Sequence, residues 1–170
     1  MGRASLTLGF ACLALLACDN PNPGTPLGTF AVASTLSVDT CGGTVVNGSP
    51  GVFDVTISND NGLIYWFPNT GGTGSYGVMD PSRTVSINEV VADDIDMTEA
   101  GAGGACTLQR NDTLAFTLAA GAAPASFTGS YSFTMQAASG ANCADQLTAN
   151  GGGYGQLPCT VTYGMTGTRQ

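Results

Sequence analysis

From Leu27 onward, apolar and polar residues alternate with a period of two. Ser126 to Met135 shows it most clearly: Phe127, Gly129, Tyr131, Phe133 and Met135 share one face, and Ser126, Thr128, Ser130, Ser132 and Thr134 share the other. Successive side chains of a strand point to opposite sides, so a strand with one buried and one wet face produces this pattern. The same alternation runs through Phe53-Val55-Ile57, Val85-Ile87, Leu114-Phe116-Leu118 and Val161-Tyr163-Met165, and more weakly through Phe30 to Val38. No window carries a clear 3.6-residue period, and Cys143 to Leu147 predicts one helical turn at most.

Turn chemistry separates these runs. Asn59-Asp60-Asn61-Gly62 tolerates positive φ and joins two apolar runs, so it predicts a hairpin. Asp80-Pro81-Ser82 and Arg110-Asn111-Asp112 predict turns, and Ala119 to Pro124 a loop. Gly71 to Ser75 and Gly151 to Gly155 precede neither a lysine nor a helix, so they read as loops rather than phosphate cradles. About eight strands joined mostly by short connections imply an all-β chain. It would be an antiparallel meander closing into a β-sandwich or small β-barrel. There is no internal repeat and no sign of a second domain.

The start of the chain breaks the pattern. Arg3 precedes 11 mostly apolar residues, Leu6 to Leu16, too few to span a bilayer and the right number for a secretory signal. The run ends in Leu15-Leu16-Ala17-Cys18, which resembles the lipobox of bacterial lipoproteins. That resemblance implies cleavage after Ala17 and a diacylglyceryl group on Cys18. It also implies a bacterial cell-envelope location, lipid-anchored to a membrane and facing an oxidising extracytoplasmic space. The alternative is an ordinary secretory signal with Cys18 left as a thiol. The expected organisation is a signal at 1–17, a lipidated cysteine and Pro-rich tether at 18–26, and one β domain at 27–170. Three prolines between Asp19 and Pro26 favour an extended tether with a reach of roughly 25 Å.

Composition narrows the chemistry. The formal charge is −8, with 12 acids against 4 basic residues, and loss of Arg3 with the signal makes the remainder more acidic still. Nucleic acid and anionic lipid surfaces need basic patches and are poor partners for such a chain. There is no histidine and no lysine. That removes Ser-His-Asp and Cys-His systems, His-ligated metals, Schiff-base chemistry and the P-loop lysine. Four cysteines besides Cys18 remain in the mature part: Cys41, Cys106, Cys143 and Cys159. In an exported chain they predict two disulfides. Cys143–Cys159 with Cys41–Cys106 is the expected pairing, because the first bridge would staple the Gly-rich segment. A four-thiolate zinc site is disfavoured, since the paired short spacings it uses are missing.

Asp93, Asp94, Asp96 and Glu99 lie within seven residues, with Glu89 nearby. They offer calcium the several oxygens on one loop that it prefers, though without the EF-hand spacing; the plainer reading is a solvated acidic loop. The same acids could form a two-carboxylate glycosidase pair, but acids clustered on one loop differ from two carboxylates flanking a cleft. Tyr65 and Trp66 are candidate ligand contacts: on a strand they face opposite ways, so one large aromatic is exposed unless a loop covers it.

Gly28-Thr29-Phe30 on the first strand and Arg169 at the end of the last also resemble the lipocalin arrangement of Gly-X-Trp and a C-terminal arginine. Here Phe30 stands in the tryptophan position. The resemblance implies a barrel mouth holding a small apolar ligand. The expectation is therefore a non-catalytic binding or structural lipoprotein of the envelope without a required cofactor. Its rivals are a lipocalin-like carrier and a carbohydrate-binding module, and the partners in view are an envelope protein, a glycan or a small hydrophobic ligand. A carrier would need a continuous cavity beneath Phe30, Phe116 and Phe133.

Overall fold

Eight alternating segments bury one face each by closing on themselves. In the computed structural model, which describes residues 23–42, 51–71, 74–95 and 106–170, the strands are β1 (Thr25–Asp39), β2 (Val52–Asp60), β3 (Leu63–Pro68), β4 (Ser75–Met79), β5 (Thr84–Ile95), β6 (Cys106–Leu118), β7 (Ser126–Ala137) and β8 (Cys159–Arg169). They form a closed antiparallel barrel in sequence order, β1 pairing with β8 from Phe30↔Arg169 to Asp39↔Val161. Of the two expected architectures, the barrel is the one adopted. Closure gives every strand two neighbours, although β4 meets β5 only through Val85 and Ser86.

The two ends of the barrel differ. At one, the connections are tight: the Asn59–Gly62 hairpin, the Asp80–Thr84 turn and the 119–125 loop. Gly62 N–H donates to Asn59 Oδ1 (2.8 Å), while Asn61 takes a φ of 53°, the left-handed conformation that asparagine tolerates. Asp80 Oδ1 accepts from the Ser82 hydroxyl (2.6 Å) and the Thr84 N–H (2.8 Å), and these bonds hold its carboxyl below the ordinary value. At the other end β5 and β6 run long. There the 138–158 segment, with single 3-10 turns at Ala144–Gln146 and Thr148–Asn150, places Tyr154 and Leu157 against the interior.

Two apolar clusters fill the barrel. Phe30, Val55, Ile57, Ile64, Trp66, Val85, Phe116 and Phe127 pack at the tight-turn end, and Leu108, Met135, Val161 and Tyr163 surround the disulfides at the other. Each large apolar side chain withdrawn from water contributes about 1.5–3 kcal/mol.

The disulfides are Cys41–Cys159 and Cys106–Cys143, not the expected pairs. Register explains the exchange. Asp39 faces Val161 across the closing seam, so Cys41 and Cys159, each two residues further along, stand opposite one another. Cys106 begins β6 beside the end of β7, from which the chain runs on to Cys143. Two other sequence expectations change. β1 begins at Thr25, so Thr25 and Pro26 belong to the barrel, paired with Asn59 and Ser58, rather than to a tether. Arg110-Asn111-Asp112 is no turn but the middle of β6, paired to both neighbouring strands.

Candidate functional site

The inward face of β6 reads Leu108, Arg110, Asp112, Leu114, Phe116, and that of β7 reads Phe127, Gly129, Tyr131, Phe133, Met135. Two charges therefore point into the barrel. They survive there because they satisfy each other. Arg110 Nε lies 2.6 Å from Asp112 Oδ1, the Tyr131 hydroxyl donates to Asp112 Oδ2 (2.8 Å), and Arg110 Nη2 donates to the Tyr131 oxygen. The guanidinium carbon also sits 4.5 Å from the centre of the Phe133 ring, within cation–π range. Burial, followed by the hydrogen bond to the Asp112 carboxylate, pushes the Tyr131 phenol up to about 12, against the opposing pull of Arg110. Burial works against the Arg110 charge, but Asp112 and Tyr131 outweigh it and leave the guanidinium above its usual range. The trio is a fixed ion pair with a neutral phenol, suited to holding shape and donating hydrogen bonds rather than to moving protons at neutral pH.

Beside this trio lies a cavity of about 270 Å³. Its walls are Phe53, Trp66, Pro68, Ile87, Leu114 and Met165, with Ser75, Glu89, Asp112 and Tyr131 supplying polar atoms. An apolar space of roughly 150 Å³ accepts benzene, so this one has room for an aromatic ring with a short chain. Its floor is solid. Trp66 packs on Phe116 (5.2 Å between ring centres) and Phe127 (5.5 Å), and Phe127 packs on Phe30 (5.5 Å). The space a carrier needs is thus not beneath Phe30 and Phe116, which plug the tight-turn end; it lies above them. Phe133 stands at the other end, under Arg110. A second hollow of about 410 Å³ lies between the tight turns, beside Leu27, Met79 and Arg83. The Arg83 Nε there donates to the Leu118 carbonyl (3.3 Å).

Tyr65 and Trp66 part company. Trp66 is 5% exposed and forms the cavity floor, whereas Tyr65 lies on the outer face, stacked with Phe67 (6.3 Å) and tilted against Tyr76 (6.0 Å). They do not form one site. Asp93 and Asp94 are not on a loop but in β5, paired with Leu108 and Thr107. Asp96 and Glu99 lie outside the described residues, as does Cys18. Among the described residues no group of three or more His, Cys, Asp or Glu side chains is gathered to hold a metal ion. Glu89 and Asp112 are register neighbours on adjacent strands, so they share one wall rather than face each other across a cleft.

Arg110, Asp112 and Tyr131 escaped the sequence reading as functional residues. The signal was present: extending the Leu114-Phe116 face backwards by twos reaches Asp112 and Arg110, charged residues in apolar positions. Across the β1–β8 seam, Phe30 is paired with Arg169, whose side chain runs against Gly28; a Cβ at Gly28 would lie 2.8 Å from Arg169 Nε. Compared with protein-family profiles, curated proteins and solved structures, the chain has no match.

Proposed function

We propose that this chain is an extracytoplasmic binding protein, tethered to a membrane through acylated Cys18, that holds a small, mainly apolar molecule in the cavity inside its barrel. The observation that carries this reading is the apolar cavity of about 270 Å³ above a close-packed aromatic floor. Binding sites for small molecules are concave and mostly apolar, with a few convergent polar groups, and Glu89, Asp112 and Tyr131 are such groups. Two disulfides are consistent with an oxidising compartment, and the lipobox resemblance of Leu15-Leu16-Ala17-Cys18 supports the anchor.

Phenylbutanol, a neutral ring on a short chain, tests the cavity. Trp66 is the only tryptophan, and it lies on the cavity floor, so saturable change in its emission reports occupancy. Ser75→Phe, which puts a ring where only a hydroxymethyl group lines the cavity, should abolish the response while the melting transition stays cooperative. A native protein that gives no saturable response, or a filled variant that binds as well as the native, refutes the reading. Mass spectrometry of the protein from its membrane should find a chain beginning at acylated Cys18. An intact Met1 terminus or an unmodified Cys18 would remove the anchor.

A further inference from the structure

We propose that the cavity selects a protonated amine carried on an apolar body, with the Glu89 carboxylate receiving the ammonium group. This inference rests on the binding reading above. Glu89 and Asp112 are direct neighbours across the β5–β6 ladder, and both line the same apolar cavity. Like charges placed opposite each other on one sheet face repel unless a cation intervenes. Asp112 has its cation in Arg110 and a second donor in Tyr131. Arg110 is held in place from two sides, by those partners and by the Phe133 ring beneath it. Among the described residues the Glu89 carboxylate has no hydrogen-bond or ion-pair partner.

Glu89, Arg110 and Asp112 together thus leave one uncompensated negative charge on the cavity wall. The chain has no lysine or histidine to offset it. The same cavity is lined by Trp66, Tyr131 and Phe53, and aromatic ring faces attract cations. The complement is an ammonium group at the rim with its hydrocarbon part on the aromatic floor. A carboxylate ligand would meet that unpaired negative charge instead, and a neutral alcohol would gain apolar contact alone.

Three ligands of nearly one shape separate these cases: phenylbutylamine, phenylbutanol and phenylbutyrate, titrated by calorimetry and by Trp66 emission. Glu89 is solvent-exposed, so the amine should bind about three- to fivefold tighter than the alcohol, the worth of one ion pair at an exposed carboxylate. The butyrate should bind most weakly. Glu89→Gln keeps the side chain's shape; it should remove the amine's advantage and leave alcohol affinity within about twofold, which also shows that the cavity is intact. Added salt should narrow the gap between amine and alcohol. Equal binding of amine and alcohol by the native protein overturns the amine assignment and leaves the cavity reading standing. Persistence of the amine preference in Glu89→Gln overturns the role of Glu89. Failure of all three ligands to bind overturns the cavity reading and this inference together.

Discussion

Gly167→Ala adds one methyl group where the barrel has no space for it. A Cβ at Gly167 would stand 2.0 Å from Cε1, 2.4 Å from Cζ and 2.5 Å from Cδ1 of Phe127. The ring cannot retreat easily, because Phe127 is 1% exposed and held by Phe30 at 5.5 Å, Phe116 at 5.3 Å and Trp66 at 5.5 Å between ring centres. Overpacking a rigid core costs typically 1–3 kcal/mol, and a ring held on three sides belongs near about 3 kcal/mol. Against this, alanine narrows the unfolded ensemble and returns about 0.4–1 kcal/mol. The net loss is about 2 kcal/mol, or roughly 4–8 °C in the melting temperature of a domain this size. Thermal unfolding followed by circular dichroism measures it, and Trp66 emission should change in the native state because Phe127 leans on the indole. Phe127→Leu vacates the contested space, so the double variant should be more stable than the sum of the two single changes by about 1 kcal/mol or more. A Gly167→Ala protein as stable as the native one, or strict additivity in that cycle, would refute the packing reasoning.

Three further outcomes follow from the same geometry. In the chain-entropy model, loops of 118 and 37 residues predict losses of about 5 and about 4 kcal/mol on removing Cys41–Cys159 and Cys106–Cys143, so the seam bridge should matter more; a melting temperature indifferent to reductant would contradict this. Tyr131 keeps its proton up to about pH 12 in the fold against 10.0 when free, so its contribution is complete below pH 10 and disappears as pH rises through 12. Denaturant midpoints over that range should fall less steeply in Tyr131→Phe, and parallel slopes would count against the burial of the phenol. Asp112→Ala leaves the half-buried Arg110 and the Tyr131 hydroxyl without their acceptor and should destabilise by about 1 kcal/mol, more than Asp112→Asn, as urea titration of the two variants will show.

The strands were legible because a half-buried strand repeats every two residues; β2, β7 and β8 carry that repeat almost unbroken, and β5 only as far as Ile87. β4 did not register: it has only five residues, and Gly77 interrupts its inner face where a Cβ would strike the Ser86 carbonyl at 2.1 Å. Barrel and sandwich could not be separated, since the choice depends on whether β1 meets β8, a pairing between residues more than a hundred positions apart that leaves no local trace. The disulfides follow from that same pairing. At the candidate site the aromatic wall was visible in part, through Trp66 and Tyr131. Arg110-Asn111-Asp112 was misread because composition says turn; only the barrel interior, where Arg110 and Asp112 neutralise each other, lets a strand carry them.

The polypeptide enters the barrel at its plugged end. Thr25 and Pro26 lie against the hairpin strand at Asn59 and Ser58, and the Ser58 hydroxyl donates to the Pro23 carbonyl (2.6 Å), while the cavity lies on the far side of the aromatic floor. Anything fastened ahead of residue 23 grips the molecule by its base. An anchor of the kind proposed, attached ahead of residue 23, would put the aromatic floor between its point of attachment and the bound cargo.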